Sequence, residues 1–153
     1  TRQSFENGLM QSVQLKAVAD TDDSILKWVC DGVNETTNWV GEHATLGIYL
    51  NQRLIAGIIY HDIRFGQDCW MTIYSIDKKW CSRRILRLIF GFAFEGLNCR
   101  RVNALVDTDN ERSIRLLSGI GFKQEGKLRQ FRENGKDCFV YGLLQTECLW
   151  RKK

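Results

Sequence analysis

Arg101 to Phe131 reads Arg-Val-Asn-Ala-Leu-Val-Asp-Thr-Asp-Asn-Glu-Arg-Ser-Ile-Arg-Leu-Leu-Ser-Gly-Ile-Gly-Phe-Lys-Gln-Glu-Gly-Lys-Leu-Arg-Gln-Phe, and its periodicity changes twice. Val102, Ala104 and Val106 alternate with Asn103 and Leu105, the period-two pattern of a strand. Asp107 to Asn110 brings short polar side chains able to cap a helix, and Ile114, Leu117 and Ile120 then share one helical face. Gly119 and Gly121 are expected to end that helix, since glycine takes a left-handed cap without steric cost. A further strand opens at Phe122.

Upstream, Ile85, Leu88, Ile89, Phe92 and Ala93 predict a helix from about Ser82 to Glu95, stopped by Gly96 and Asn98. The strand at Arg101 then returns parallel to the sheet in a βαβ unit. Before the helix lie three expected antiparallel strands. Leu46, Ile48 and Leu50 alternate, Asn51-Gln52-Arg53 turns, Leu54 to Tyr60 runs back, Phe65-Gly66-Gln67-Asp68 turns again, and Cys69 to Ile76 forms the third. Thr1 to Asn7 is polar and expected to fray, while Val13, Leu15 and Ala17 suggest a first strand. Thr21-Asp22-Asp23-Ser24 offers a cap for a helix carrying Ile25, Trp28 and Val29 that stops by Gly32, and Asn34 to Gly41 reads as loop or a second short helix. After a turn at Glu133 to Lys136, Cys138 to Leu144 is a last strand. The order β-α-(α)-β-β-β-α-β-α-β-β predicts an α+β fold, a mixed α/β sheet flanked by helices, in a single domain spanning residues 1–153.

A chain of 153 residues with 44% apolar and 26% charged residues has the composition of an ordinary globular protein. No run approaches the ~18 apolar residues of a membrane span, and the beginning lacks a basic-then-apolar signal pattern, so a cytoplasmic location is expected. The six cysteines form no Cys-x-x-Cys pair and the two histidines, His43 and His61, stand apart from them, so no metal site is expected and the thiols read as reduced and mostly buried. The net charge of +4 gathers at Lys78-Lys79, Arg83-Arg84, Arg100-Arg101 and Arg151 to Lys153. Such clusters suit a polyanion, either a phosphate-rich cofactor or a nucleic acid.

A strand, an Asn-capped helix and a Gly-Phe strand in this order resemble the C-terminal half of GNAT-type N-acetyltransferases. The matching residues are Asn110, Ser113, Gly121 and Phe122, followed by Glu125-Gly126 and Arg129, a continuation similar to the ribosomal-protein-alanine branch. The resemblance implies a mostly antiparallel, splayed central sheet of the GNAT acyl-CoA N-acyltransferase fold, with acetyl-CoA entering between two parted strands. By position Ile73, Tyr74, Ser75 and Ile76 would line that opening, and the pyrophosphate would lie at the N-terminus of the Ser82 helix. The family pattern there is (Gln or Arg)-x-x-Gly-x-(Gly or Ala), whereas this chain has Lys78-Lys79-Trp80-Cys81-Ser82-Arg83, with neither glycine. Lys78, Cys81, Ser82, Arg83 and Arg84 are the expected cofactor contacts, the cations compensating for the missing glycines.

The resemblance further implies Asn110 holding the pantetheine arm or an ordered water, and Ser113 hydrogen-bonding the CoA sulfur, because the Tyr that many members carry is replaced by Leu117. An oxyanion donor is expected in a backbone N–H near Ser75 or Ile76. Glu42, His43, His61, Asp77, Glu125 and Tyr141 are equal candidates for a general base, and Glu125 also for a structural partner of Arg129. The acceptor groove would be built by Thr21 to Gly41 and Phe131 to Cys138. The implied activity is acetyl transfer from acetyl-CoA to a primary amine of a protein or peptide N-terminus or of a small molecule. The alternatives are a GNAT-fold binding protein with a degenerate cofactor loop, docking on nucleic acid or a protein partner, and a GNAT-fold enzyme modifying nucleic acid. A nucleic-acid partner is the less favoured, no membrane partner is expected, and the oligomeric state is not legible.

Overall fold

The middle of the chain folds as a meander because its turns fall on residues that tolerate them. A computed structural model describes residues 14–19, 23–33 and 42–151. Asn51 and Gln52 take φ of 49° and 71°, and two successive left-handed residues make the hairpin turn whose twist matches that of paired strands. This turn joins β2 (Ala44–Leu50) to β3 (Arg53–Arg64), and Phe65 to Gln67 lead into β4 (Asp68–Ser75). All three are antiparallel, and β1 (Leu15–Ala19) adds to the β2 edge. Thr1 to Asn7, Val13, Thr21, Asp22 and Asn34 to Gly41 lie outside the described residues.

Helix α1 (Ser24–Val33) buries Ile25, Leu26, Val29 and Cys30 against Ile59, with Trp28 and Tyr74 packed at the margin. Its course corrects one expectation. Gly32 does not stop the helix, which continues to Val33; it makes room for Tyr74, whose ring carbons would lie 2.3 Å from a Cβ built there.

Past β4, the Asp77 carboxylate accepts the Lys79 N–H at 2.9 Å and caps a 3₁₀ turn at Lys78–Trp80. Ser82 Oγ then accepts the Ile85 N–H at 3.2 Å, and α2 (Arg83–Gly91) begins where periodicity placed it. Its last turn, Phe92–Gly96, is wound as a π-helix. Ile85, Leu86, Ile89, Phe90, Ala93 and Phe94 are buried on one side of the sheet. Tyr60 Oη, fully buried, donates to the Ile89 carbonyl at 2.8 Å.

The stretch that set the expectation folds as β5 (Arg101–Asp107), α3 (Glu111–Ile120) and β6 (Lys123–Leu128), with β7 (Cys138–Leu144) closing the order β1-β2-β3-β4-β5-β7-β6. Only β4 and β5 run parallel, so the sheet is mixed and mostly antiparallel as expected. Gly121 ends α3 at φ 121°, whereas Gly119 sits inside the helix and plays no part in its ending. Glu125 pairs with Arg101 and not with Arg129; the pair crosses β7 over Gly142, where any Cβ would strike both side chains. Trp150 packs on the main core and donates its indole N–H to the Ile120 carbonyl at 2.8 Å. All six cysteines are free; Cys30, Cys69, Cys99 and Cys138 are buried, and loss of solvation raises the pKa of Cys69, Cys99 and Cys138. Among the described residues no helix is long and apolar enough to cross a membrane, and no group of His, Cys, Asp or Glu is placed to hold a metal ion.

Candidate active site

The two parallel strands part company after three residue pairs. Asp68, Cys69 and Trp70 face Arg101, Val102 and Asn103. From Met71 onward β4 stays paired with β3 as far as Ser75, and β5 stays paired with β7 as far as Asp107, but the two no longer pair with each other. The closed end is pinned by side chains. Asn103 Nδ2 donates to Asp68 Oδ2 at 2.9 Å and to the Cys69 carbonyl at 3.2 Å, Arg101 Nε donates to Asn103 Oδ1 at 2.7 Å, and Arg64 Nε donates to Asp68 Oδ1 at 2.6 Å. The Arg64 hydrogen bond holds the Asp68 carboxyl below the usual carboxylate range, outweighing its burial.

The open end is a wedge with unpaired peptide groups. Ile76 N–H donates to the Ile55 carbonyl at 2.9 Å. Because backbone groups alternate along a strand, Ile73 and Ser75 then aim their N–H and C=O away from β3, into the wedge. Consistent with that direction, the Arg112 guanidinium reaches the Ser75 carbonyl and Oγ, each at 3.4 Å, from the first turn of α3. Of the two expected oxyanion donors, Ile76 is therefore ruled out by its bond to Ile55, and the Ser75 N–H has the required direction.

A cleft of about 990 Å³ occupies the wedge and continues onto the face where α1 ends. Ile73, Tyr74, Ser75, Asn110 and Ser113, five of the residues singled out from sequence, line it. Asn110 Oδ1 accepts the Ser113 N–H at 3.1 Å, so its carbonyl oxygen caps α3 while its amide Nδ2 is without a partner among the described residues. Leu117, which replaces the Tyr that the resemblance implies for many GNAT members, also lines the cleft.

Ile76, Lys78, Cys81, Ser82, Arg83 and Arg84 are not part of this lining. The Cys81 and Ser82 N–H groups are consumed locally, bonding the carbonyls of Lys78 at 3.2 Å and Trp80 at 2.9 Å. The Arg83 guanidinium lies 5.9 Å over the Trp150 ring, and Arg84 donates to the Leu15 carbonyl. Among the described residues, the Arg83 and Arg84 backbone N–H groups, unpaired as the first donors of a helix are, and the exposed Lys78 and Lys79 remain for an anion at this end.

Among the six base candidates only His61 lines the cleft. Asp77 caps the 3₁₀ turn, Glu125 is tied to Arg101, Tyr141 donates to Gln124 Oε1 at 3.3 Å, and His43 lies 3.3 Å from Asp23. Exposed Glu42 is outside the lining. The structure adds residues that no sequence signal marked, Thr72 and Trp70 on β4 and Arg112 on α3, while Arg132, Glu133 and Lys136 come from the Phe131 to Cys138 stretch expected to help build the acceptor groove. Arg132 Nε donates to Asp107 Oδ1 at 2.7 Å, and Lys136 Nζ lies 3.0 Å from Asp109 Oδ2. Such an arrangement accepts an extended, amide-bearing chain along β4 and a polar group at the far face, with hydroxyl and amide donors between them.

Comparison with known proteins agrees with this geometry. No family model matches the chain. An uncharacterized N-acetyltransferase of Bacillus subtilis, YoaA, is 39% identical over 76 residues, covering 46% of this chain and 43% of the relative. The uncharacterized N-acetyltransferase p20 of Bacillus licheniformis is 34% identical over 85 residues, covering 54% of this chain and 44% of the relative. The matches thus span under half the length of these curated relatives. Among solved structures, a spermidine N-acetyltransferase from Vibrio cholerae in complex with CoA and spermine superposes with a TM-score of 0.68 at 15% identity, covering 88% of this chain and 97% of that one. At this identity the likeness is one of fold, and none of the three carries the name of the ribosomal-protein-alanine branch.

Proposed function

We propose that this chain, a domain of the GNAT superfamily by fold and named relatives, transfers an acetyl group from acetyl-CoA to a primary amine of a protein or peptide N-terminus or of a small molecule. The observation that carries the reading is the unpaired β4 edge from Met71 to Ser75 facing β5 across a cleft. Peptide groups of a strand edge left without a ladder partner can be paired by an amide-bearing arm laid along them like an added strand.

The residues present fit acetyl-CoA. Ile73 and Ser75 offer backbone groups to a pantetheine arm, Asn110 Nδ2 offers a further donor, and the Arg83 and Arg84 N–H groups with Lys78 and Arg112 suit a pyrophosphate. Acetyl-CoA supplies a thioester carbonyl carbon open to attack and a thiolate leaving group. The Ser75 N–H is directed to stabilise negative charge on that carbonyl oxygen, and Ser113 Oγ donates toward the departing sulfur. Attack requires the acceptor nitrogen in its neutral form, and one proton leaves it as its bond to the acetyl carbon forms.

Isothermal titration with acetyl-CoA tests the reading, with Asn110→Ala and Ser113→Ala as companions. One-to-one binding is expected, with turnover lowered in both variants and CoA affinity less affected in Ser113→Ala. Absence of binding at millimolar acetyl-CoA would favour the second reading, a binding protein of GNAT shape, whose supporting observation is that the Cys81 and Ser82 N–H groups are already consumed. Wild-type turnover in both variants would remove the roles given to Asn110 and Ser113.

A further inference from the structure

His61 sits where β3 is interrupted. The β3–β4 register breaks between His61 and Arg64, and Asp62 takes φ of 48°, a left-handed conformation costly for a residue with a side chain. Bulges of this kind re-aim side chains. Here the result is that Asp62 Oδ2 lies 2.8 Å from His61 Nδ1, although neighbours along a regular strand point to opposite faces. On its other side, His61 Nε2 lies 3.0 Å from Thr72 Oγ1, and both His61 and Thr72 line the cleft.

The donor roles follow from the chemistry of the partners. An ionised carboxylate only accepts, so in the neutral imidazole the proton is on Nδ1, donated to Asp62, and Nε2 carries the lone pair. The Thr72 hydroxyl is then the donor to Nε2, and its oxygen lone pairs are left to accept an N–H from the cleft. The order Asp62, His61, Thr72 is a carboxylate, an imidazole and a hydroxyl in line, ending at the acceptor face of the wedge.

We infer that Thr72 and His61 form the proton exit for the acceptor amine, with Asp62 as the residue that positions and polarises the imidazole. This rests on the acetyl-transfer reading and deepens it. As the amine nitrogen forms its bond to the acetyl carbon and the carbon–sulfur bond breaks with its electron pair going to sulfur, one N–H bond is lost. Its electrons stay on nitrogen and the proton passes to Thr72 Oγ1, which releases its own proton to His61 Nε2. The product is a neutral amide, a thiolate, and an imidazolium facing Asp62 that then gives up its proton to the solvent. The other charged groups of the cleft are the Asp107–Arg132 pair, Arg112, Glu133 and Lys136, all carried on other elements, and the β4 neighbours Trp70 and Thr72 are uncharged.

Two histidines in the whole chain make the test direct. ¹⁵N spectra of the imidazoles, assigned with His61→Asn, report the tautomer without any turnover. A proton on Nδ1 supports the relay, and a proton on Nε2 alone, donated to Thr72, overturns it. Steady-state kinetics with acetyl-CoA and two amine probes, spermidine and tri-alanine amide, give the second arm. His61→Asn and Thr72→Val are each expected to lower kcat by about 10²-fold with KM and CoA affinity nearly unchanged, and His61→Asn to flatten the acidic limb of the pH profile. Asp62→Asn is expected to shift that limb. Variants that bind CoA normally and keep kcat within twofold of wild type sink the relay while leaving the acetyltransferase reading intact. Loss of CoA binding by the wild-type protein sinks the reading itself.

Discussion

Trp70 and Asn103 are the last partners of the β4–β5 ladder. Everything proposed for the site begins at that pair, because the strands beyond it are each committed elsewhere, β4 to β3 and β5 to β7. The fork is held from its closed end by polar side chains meeting on Asn103, with Asp68 across the ladder and Arg101 two residues before. Along the open wedge, β4 from Met71 to Ser75 and β5 from Ala104 to Asp107 keep an unbroken register with β3 and β7.

Asp68 is the part of that apex most exposed to test. Its carboxylate accepts from Arg64 and Asn103 while only 7% exposed, so Asp68→Asn removes charge-assisted bonds worth about 1.5–3 kcal/mol together. Arg64 is 62% exposed and its share is screened, which puts the expected loss near the lower figure. The sign with pH follows from the lowered carboxyl pKa. A depressed value contributes stability that is present above the ordinary carboxylate range, near ~3.9, and is lost as pH falls through the folded-state value. Urea unfolding is therefore expected to separate wild type from Asp68→Asn at pH 7 and to bring them together in strong acid. An unchanged gap would mean the carboxylate is not what pins the fork.

Gly32→Ala sets two effects of known size against each other. In an open helix interior the change stabilises by about 1 kcal/mol. Here the new methyl would lie 2.3 Å from the Tyr74 ring, itself fixed edge-on to Trp28 at a centroid distance of 5.1 Å, and overpacking of this kind costs about 1–3 kcal/mol. Net destabilisation is expected, together with a coupling of similar size when Tyr74→Ala is combined with it in a double-mutant cycle. Additive effects would show that the ring moves aside freely.

Periodicity carried most of the architecture where an element buries one face. The alternation of Val102, Ala104 and Val106 and the stripe of Ile85, Ile89 and Ala93 are direct records of that burial. Gly32 misled because glycine marks either a left-handed residue or a close approach, and only the packed neighbour decides which; Gly119 is neither, standing inside α3 with open space where a Cβ would lie. Where a residue was expected to act through its own backbone or cap, as Ser75 and Asn110 were, the structure places it in the cleft lining. The site was illegible where a side chain is brought to the cleft by the placement of its element, as Thr72 is from β4 and Arg112 from the first turn of α3. Nothing in the order Lys78 to Arg84 foretold that Arg83 would stack on Trp150 and that Arg84 would bond Leu15, since both partners are remote in sequence.

That placement separates two routes to the pyrophosphate. Arg83→Gly keeps the backbone N–H and removes only the contact with Trp150, so CoA affinity is expected to stay within about threefold of wild type while the helix start loses about 1 kcal/mol. Arg112→Ala removes a guanidinium that has only the neutral Ser75 oxygens as partners among the described residues, and a tenfold weaker affinity, about 1.4 kcal/mol, is expected. Titration of both variants with CoA decides the matter, and the reverse ranking would return the role to Arg83.

The acceptor is constrained by the charges around the far face of the cleft. A polyamine carries several cations, and each needs a carboxylate that is not already engaged. In this cleft Asp107 accepts from Arg132 at 2.7 Å, and Asp109 beside it is held by Lys136 at 3.0 Å. Arg132 and Lys136 thus face the acceptor space against Asp107 and Glu133. The expected order is a peptide N-terminus ahead of spermidine by at least about tenfold in kcat/KM, a difference of about 1.4 kcal/mol. Arg132→Gln leaves Asp107 without that partner, and Lys136→Glu replaces a cation of the cleft by a carboxylate, so both changes are expected to narrow the gap by raising kcat/KM for spermidine. Spermidine preferred by the wild-type protein, or indifferent to both substitutions, would mean that the carboxylates selecting the acceptor lie outside this cleft.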